Sequence, residues 1–472
     1  MQTFLTTLDN VFNTLGSIVF VPVILFIIAK ILGVKTEKAF KSALLCAVGL
    51  KGFSLVVDSY SKIITPVVNL MVKNSGVNLK ILDTGWQNAS VIAYSTKIGI
   101  LFIGVALLFQ TALFLLKWTD CFMPSDLWNN YSYMIWGSML YIITGNIWLS
   151  LILMLVQNLY SLLCSDILAK RWSTYYGYPG CCMTAAHNVC MVPYAIGINW
   201  ILNKLGANKI KLNARDLQKK FGILGEPMFI GLVVGALIAI IAYHESLGEL
   251  VSWGVIASSA ISTASVMAVF PKVAAIFASA FSSLTDASSK KVQGKGSAER
   301  KWYLAINDAA GYGEPNTLVS GILLMPIMLF ISFVLPGNQV LPMVDLVAIP
   351  YGMEAIVAIS NGNIMKSIIS GAIWLSIGML LGTQVAPIFT SVAVDNGYAL
   401  SQAGTYIISL GTVCRPEMLL IFLAFKSMNP FIIGAVIVGY FVLYFIFKKY
   451  KKQIVDYMET CNDINNQESV TA

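Results

Sequence analysis

The stretch KKFGILGEPMFIGLVVGALIA, Lys219–Ala239, begins with two lysines, passes through Gly-Glu-Pro and continues as a long apolar run. Proline is well placed in the first turn of a helix, and lysines beside an apolar helix mark the cytoplasmic side of a membrane. The stretch therefore predicts a membrane helix that begins near Pro227. It also leaves a carboxylate, Glu226, at the point where that helix enters an apolar environment.

The composition extends this prediction to the whole chain. Of the 472 residues, 57% are hydrophobic and 11% are charged, and the mean hydropathy is +0.75. Soluble domains carry about 25% charged residues. Apolar runs recur between residues 13 and 447, and many have the 18 or more residues that a membrane-spanning helix needs. We therefore predict an all-α polytopic membrane protein of about 10–11 transmembrane helices.

The net charge of +8 comes from lysines and arginines that lie beside apolar segments. Such clusters mark cytoplasmic loops, and we assign five of them to the cytoplasm: 35–41, 169–172, 204–220, 290–302 and 448–452. Segments 181–202 and 403–425 then have to enter and leave the membrane on the same side. Both are predicted to form re-entrant hairpins, and broken segments of this kind point to a substrate path.

Two weak internal sequence similarities suggest a duplication. FKSALLCAVGL (40–50) is similar to MKSIISGAIWL (365–375), and DTGWQNAS (83–90) is similar to DNGYALSQAG (395–404). The pairs share their order but not their spacing, and chance similarity among membrane segments is the alternative. A duplicated transporter would carry its site between the repeats.

The predicted domain plan follows from these segments. The first repeat covers about 13–203 and the second about 316–447, joined by spans at 221–282 and a cytoplasmic loop at 283–302. Together they form a transporter domain over 1–455 in the cell membrane. Residues 456–472 are predicted to be a disordered cytoplasmic tail, because they are polar and lack an apolar run.

Polar residues inside or beside the apolar segments are the candidate ligand contacts. Glu226 and Glu314 each precede a proline that opens an apolar run, and the alternative for both is a helix cap. Asp345 and Asn338 lie in the stretch 336–352, which three prolines interrupt. The alternative interpretation of this stretch is an extracellular loop. The remaining candidates are Asp83, Trp86 and Gln87 in DTGWQN, and His187. The alternative role for Trp86 is that of an aromatic residue at the membrane interface, and for His187 that of a core or helix-capping residue.

Several chemistries have no motif in the chain. There is no GxxxxGK[ST] for nucleotides, no HExxH for zinc and no TVGYG ion filter, so no cofactor or metal is predicted. Carboxylates, amides and aromatic rings without a cluster of cations suit a neutral polyhydroxy solute, since acids and amides bond hydroxyls. The predicted function is therefore transport of such a solute.

Four stretches carry a resemblance to a known family: KKFGILGEP with GLVVG after it, PGNQVLPMVDL (336–346), NGNIMKSIISG (361–371) and DTGW (83–86). Together they resemble the galactitol-type membrane IIC component of the phosphoenolpyruvate-dependent sugar phosphotransferase system. The resemblance covers essentially the whole chain. It implies a permease that carries an alditol, galactitol or a related polyol, inward while a cytoplasmic IIB protein phosphorylates it.

The resemblance also implies an architecture and partners. Related ascorbate-type proteins are homodimers of about eleven spans per protomer, with inverted repeats and a core that moves against a dimerisation frame. The phosphoryl carriers are a histidine on IIA and a cysteine on IIB, so this chain would carry no phosphoryl group. The alternative function is an ion-coupled secondary transporter in which Glu226, Glu314 or Asp345 carries the proton.

Overall fold

The computed structural model describes residues 33–75, 79–280, 301–398, 400 and 406–461, with isolated positions between 19 and 30. More than half of the predicted apolar segment 13–33 and all of the predicted loop 283–302 except residues 301 and 302 lie outside these residues. So does most of the predicted tail, from residue 462 onwards. Within the described chain, helices predominate and the strands are short.

Helices form where apolar segments predict them, and prolines fix where several begin. Pro227, Pro315, Pro416 and Pro430 each occupy the first turn of a helix, where the missing N–H breaks no hydrogen bond. The helices are α1 (Thr36–Ser75), α2 (Gly85–Ser95), α3 (Lys97–Leu115), α4 (Tyr131–Thr144), α5 (Ile147–Tyr176), α6 (Ala186–Val189), α7 (Val192–Lys204), α8 (Ala214–Phe221), α9 (Pro227–Ala242), α10 (Leu250–Ser279), α11 (Ala309–Tyr312), α12 (Pro315–Val334), α13 (Glu354–Ile359), α14 (Ile364–Asp395), α15 (Pro416–Lys426) and α16 (Pro430–Thr460).

The prediction of an all-α polytopic membrane protein is confirmed. Six described helices are long and apolar enough to cross a membrane, and the pair α8 and α9, bent by 69°, makes a seventh if it counts as one span. This is fewer than the 10–11 helices predicted. The predicted segments 181–202, 341–360 and 403–425 account for part of the difference, because they are broken into helices of fewer than 18 residues. Segment 13–33, which is only partly described, accounts for another part.

Six short strands in the described chain form two parallel three-stranded sheets. The strands are β1 (Ile81–Asp83), β2 (Cys121–Phe122), β3 (Cys181–Cys182), β4 (Tyr303–Ala305), β5 (Val340–Leu341) and β6 (Tyr406–Ile408). The first sheet has the order β5-β1-β6 and the second the order β2-β4-β3. Ile81 pairs with Val340 and with Tyr406, and Leu304 pairs with Cys181 and Phe122.

The two sheets interlock two halves of the chain. Residues 81–204 run β1, α2, α3, β2, α4, α5, β3, α6, α7, and residues 303–426 run β4, α11, α12, β5, α13, α14, β6, α15. In each sheet the middle strand is the first strand of one half, and both outer strands come from the other half. Neither half completes a sheet alone, so the backbone hydrogen bonds of each half require the other.

Segments 181–202 and 403–425 are broken as their sequences predict. The first runs from β3 through the single turn of α6 to α7, which has Pro193 in its first turn. In the second, β6 is followed by a turn and by α15, which begins at Pro416. Each segment therefore brings a strand and the start of a helix to the interior of the protein, and re-entry of the two segments stays a prediction.

Helices α1, α9 and α10 pack together, and we refer to them as the three-helix unit. Small residues allow this close packing: Gly49 lies against Phe277, and Gly235 lies against the backbone of Ser259. The unit meets the interlocked halves where α9 packs on α12 and α10 packs on α11. Phe270 of α10 makes one such contact, since its ring stacks on the ring of Tyr312 at 3.8 Å between centroids.

The last helix ends inside a buried polar cluster. A kink at Tyr450 redirects α16, and its final turn continues to Thr460, beyond the point at which a tail was predicted to begin. The backbone oxygen of Cys461 accepts a hydrogen bond of 2.8 Å from Asn203 of α7, and Met458 is fully buried. Buried apolar and polar contacts order these residues, which we call the strap (451–461).

Candidate functional site

Asp83 and Asp345 lie at the end of the β5-β1-β6 sheet and are both buried. The carboxylate of Asp83 accepts backbone hydrogen bonds from Gly85 (3.2 Å), Leu410 (3.1 Å), Met343 (3.1 Å) and Asp345 (2.7 Å). One carboxylate thus joins the chain segments that follow all three strands. Because its oxygens are occupied by N–H groups, its main role in this conformation is to hold the backbone.

The Asp345 carboxylate is bonded in the same way. It accepts from the backbone N–H of Trp86 (2.9 Å), the N–H of Gly411 (2.6 Å) and the hydroxyl of Ser409 (2.8 Å). These bonds fix the start of α2 and the turn after β6. Asp345 therefore positions Trp86 by holding its backbone.

A second pair of aspartates occupies the matching end of the β2-β4-β3 sheet. Asp126 follows β2 in CFMPSD as Asp345 follows β5 in VLPMVD, at the same spacing. Asp308 follows β4, and it lies close enough to Asp126 for their charges to interact. Asp126 accepts a bond of 2.7 Å from Asn129, and both aspartates are buried.

His187 joins the second aspartate pair from the hairpin after β3. Its Nε2 lies 2.7 Å from Asp308 Oδ2, and its Nδ1 lies 3.3 Å from the hydroxyl of Ser132. The neighbouring Asn188 donates to the carbonyl of Tyr351 and accepts from the N–H of Ala355 at 3.3 Å. Both ring nitrogens of His187 are thus engaged, and its hairpin is fastened to the segment at 351–355.

Four aromatic side chains lie between the two pairs of aspartates. The ring of Trp86 is 6.5 Å from that of Tyr131 and 6.4 Å from that of Tyr351, and the Tyr351 ring is 4.3 Å from that of Tyr312. Tyr131 lies 6.1 Å from the ring of His187. Each half of the chain supplies two of the four aromatic residues, so they meet at the junction of the halves.

Glu354, at the start of α13, adds a carboxylate to this circuit of side chains. Its Oε2 accepts a bond of 3.0 Å from the indole of Trp172, and the carboxylate lies against Gly311, where an added Cβ would overlap it. Glu354 interacts electrostatically with Asp308. We call this circuit the acidic–aromatic ring; its members are Trp86, Tyr131, His187, Asp308, Glu354, Tyr312 and Tyr351.

One buried cation lies beside the ring. Arg415, 1% exposed, donates from Nε to the carbonyl of Gly411 at 3.0 Å, and its Nη2 donates to the same oxygen. Its Nη1 has no hydrogen-bond partner among the described residues. Because Arg415 lies close to Gly352 and interacts with Tyr131, it adds a hydrogen-bond donor to a site otherwise rich in acceptors.

The other predicted site residues lie outside the ring. Glu314 caps α12, accepting from the N–H of Thr317 at 2.8 Å, and Asn338 binds the backbone of Ser332 and Val340. Glu226 is partly buried at the start of α9 and accepts from Gln218 at 3.2 Å. The side chain of Gln87 lies outside the part of the chain that the structure describes.

Comparison with known proteins identifies the family. Residues 10–404 match the family model of the "PTS system sugar-specific permease component". The chain belongs to this family. The permease is also similar to the "PTS system galactitol-specific EIIC component" of Escherichia coli K12, with 28% identity over 93% of this chain and 94% of that protein.

A further similarity is to a "Putative permease IIC component" of Escherichia coli K12, with 29% identity over 84% of this chain and 89% of that protein. The predicted resemblance to the galactitol-type IIC family is thus confirmed. The permease is a multi-pass membrane protein of the sugar phosphotransferase system.

Sequence reasoning missed most of the permease's ring. Tyr131, Asp308, Tyr312, Tyr351 and Glu354 were not among the predicted site residues. One pattern could have found Asp126 and, through it, the second aspartate pair: the shared spacing of CFMPSD and VLPMVD. The tyrosines and Glu354 carry no such pattern, because ordinary core tyrosines and helix-end glutamates look the same in sequence.

Proposed function

We propose that the permease carries an alditol, galactitol or a related polyol, into the cell, and that a cytoplasmic IIB protein phosphorylates it there. The acidic–aromatic ring is the observation that supports this most directly. Carboxylates and an imidazole bond hydroxyl groups, while indole and phenol rings cover the C–H faces of a polyol chain. The relative named as galactitol-specific points to the same class of substrate.

We place the substrate contacts in the ring. Of the predicted residues, Trp86 and His187 belong to it directly, and Asp83 and Asp345 support it by holding the backbone around Trp86. Glu226, Glu314, Asn338 and Gln87 stay weaker proposals, because the first three lie apart from the ring. Tyr131, Asp308 and Tyr351 join the proposed contacts.

The basic clusters support a cytoplasmic C-terminus. The ends of α5 and α16 meet through Arg171 and Glu459 (3.8 Å) and through Lys170 and Asp456 (3.9 Å), and α7 ends beside Cys461. Three of the five lysine- and arginine-rich segments therefore gather at one end of the protein. Positive loops of membrane proteins face the cytoplasm, so a IIB protein would approach this end.

The partners follow from the family. A phosphohistidine on IIA and a phosphocysteine on IIB would supply the phosphoryl group, and this chain would supply the bound alditol. We also propose a homodimer, in which the three-helix unit belongs to the dimerisation frame. Phosphorylation would trap the solute, because a dianion crosses a bilayer far less readily than a neutral polyol.

One experiment tests the proposal. Membranes that contain the permease, supplemented with IIA, IIB and the general phosphotransferase proteins, should phosphorylate galactitol or a related alditol in a phosphoenolpyruvate-dependent reaction. Membranes without the permease are the control. Absence of product from every alditol tested would overturn the proposed substrate class.

The alternative is ion-coupled uptake of unmodified solute. The buried carboxylate of Glu354, which has no positively charged partner among the described contacts, is the observation that favours it. This alternative predicts uptake that a protonophore abolishes and that needs no IIB. Accumulation of the phosphorylated alditol inside the cell would exclude it.

A further inference from the structure

The acids of the site differ in how their oxygens are used. Asp83 and Asp345 accept several bonds each from backbone N–H groups, and Asp308 is bonded through Oδ2 to His187. Glu354 differs from them: its side chain is 0% exposed, and its Oε1 has no hydrogen-bond partner among the described residues. Leaving a buried carboxylate oxygen unpaired costs free energy, so its retention calls for an explanation.

The hydrogen bonds around Glu354 use only one of its two carboxylate oxygens. Trp172 holds Oε2, and Gly311 provides the space that any side chain would fill. Gly311 is followed directly by Tyr312 of the ring. The carboxylate is therefore fixed through Oε2 by an indole, while Oε1 keeps its hydrogen-bonding capacity unused among the described residues.

This oxygen is enclosed in the present conformation, and Gly311, which packs against the carboxylate, is followed directly by Tyr312, so a ligand reaches Oε1 only after this part of the ring moves. The Tyr312 ring stacks on Phe270, and Phe270 belongs to α10 of the three-helix unit. A displacement of the interlocked halves against that unit would separate the two rings. An alditol hydroxyl could then reach Glu354 from within the ring.

Glu354 also lies on the side of the ring nearest the basic clusters. It interacts electrostatically with Glu314, whose neighbour Asn316 donates a bond of 3.0 Å to Tyr175 near the end of α5. One turn earlier in α5, Lys170 and Arg171 contact the strap. A phosphorylated partner at this end would meet the part of a bound polyol that lies against Glu354.

We propose that Glu354 binds the alditol hydroxyl that accepts the phosphoryl group and takes its proton during the transfer. This inference rests on the proposed function. The hydroxyl oxygen forms a bond to the phosphorus of a protein phosphocysteine, the S–P bond breaks, and the cysteine leaves as a thiolate. The hydroxyl proton passes to Glu354 Oε1 and returns to solvent once the product has left.

His187 is a poorer proton acceptor in this arrangement. Both of its nitrogens already have partners, Asp308 at 2.7 Å and Ser132 at 3.3 Å. It would have to break one of these bonds before it could accept a proton from a ligand. His187 therefore orients Asp308 in this mechanism and Glu354 receives the proton.

The test compares Glu354→Gln with wild type in two measurements. The amide of Gln can still accept from Trp172 and bond a hydroxyl, so the Kd for radiolabelled galactitol or the alditol that wild type phosphorylates should stay within about threefold. Phosphorylation at saturating alditol, with phosphoenolpyruvate and the partner proteins, should fall by roughly 100-fold or more, as expected for loss of a general base. The matched control is Glu417→Gln, which removes a partly buried carboxylate outside the ring whose Oε2 is buried and has no hydrogen-bond partner among the described residues, and this variant should phosphorylate normally.

Each outcome decides the proposal. A phosphorylation rate within about threefold of wild type in Glu354→Gln would overturn it. Binding weakened by more than about tenfold in a variant of unchanged thermal stability would show that Glu354 acts through alditol affinity alone, and this result would overturn its role as proton acceptor. If Glu354→Gln does not fold, Gly311→Ala displaces the same carboxylate without altering its chemistry, and a normal rate there would overturn the proposal. Failure of wild type to phosphorylate any alditol would instead refute the proposed function.

Discussion

Trp86 is the largest side chain of the acidic–aromatic ring, and its indole is only partly buried. If it covers the carbon chain of an alditol, Trp86→Ala should weaken alditol binding by roughly tenfold, and Trp86→Phe should recover much of the loss. Equilibrium binding of radiolabelled alditol to the purified permease measures both. Trp148→Ala, at an exposed indole outside the ring, is the control and should bind normally. Equal affinities for wild type and Trp86→Ala would remove Trp86 from the site.

Asp345 provides a prediction that separates a structural role from a ligand contact. In Asp345→Asn an amide N–H₂ would face the donors of Trp86, Ser409 or Gly411, so we expect the unfolding free energy to fall by about 1–3 kcal/mol. A thermal unfolding assay in detergent measures the change, and Glu245→Gln at an exposed carboxylate serves as the control. Unchanged stability together with lost alditol binding would support the direct ligand contact predicted from sequence.

The sequence showed which acidic residues occupy unusual positions, but it did not show their structural roles. Asp83 and Asp345 stand out because they interrupt apolar stretches, and both proved to be buried. Their roles depend on which N–H groups reach them, and those N–H groups lie more than 250 residues away in the chain for the pairs Asp83–Asp345 and Asp345–Trp86. Such contacts follow from tertiary structure, which a single sequence does not reveal.

One buried lysine connects helices α14 and α7 with the strap at the end of α16. Lys366, at the start of α14 and 1% exposed, donates to Asn199 at 2.9 Å and to Asn203 at 3.0 Å, and both asparagines contact Cys461. The lysine therefore orients the two amides that hold the strap against α7. The hairpin that carries His187 is fastened by the same contacts.

Removing this ammonium group should loosen the strap. In Lys366→Met the two amides lose charged hydrogen bonds, each worth roughly 1.5–3 kcal/mol, and we expect modification of the buried Cys461 thiol by a maleimide to accelerate by at least about tenfold. Mass spectrometry of the C-terminal peptide follows the reaction. Lys449→Met, at an exposed lysine of α16, the helix that carries most of the strap, is the control. An unaltered rate would show that apolar packing of Met458 suffices to hold the strap.

The sequence predicted the broken hairpins but not the strands beside them. The basic loops on either side indicated that segments 181–202 and 403–425 would not cross the membrane as single helices. The strands have only two or three residues each, too few for an alternating pattern. They form because the partner strands are available in the other half of the chain.

In the whole molecule, the order of helices and strands does not support the duplication at the stretches where the sequence suggested it. The stretch 40–50 lies in α1 of the three-helix unit, while 365–375 lies in α14 of the second half. These two stretches do not occupy matching places in the two ordered halves. The pair CFMPSD and VLPMVD does, since each leads from the second strand of its half to a buried aspartate.

Because the two sheets interlock the halves, two separate fragments of the chain should still associate. A break within 283–300 separates β1, β2 and β3 from β4, β5 and β6, and every sheet then needs both pieces. Fragments 1–290 and 291–472 should associate when they are expressed together, because each supplies the middle strand that pairs with the outer strands of the other. Purification through a tag on one fragment, followed by detection of the other, measures the association.

A substitution in a middle strand provides the control for this experiment. The N–H of Leu304 donates to the carbonyl of Gly180 at 2.8 Å, so Leu304→Pro removes a bond that joins the two fragments and should reduce their recovery together by at least about tenfold. A conservative Leu304→Val should leave recovery unchanged, because it keeps the N–H. If either fragment were stable and monodisperse by itself, the sheets would not be what joins the halves. Recovery of alditol binding only in the co-expressed pair would place the ligand site at their junction, where Trp86 and Tyr351 meet.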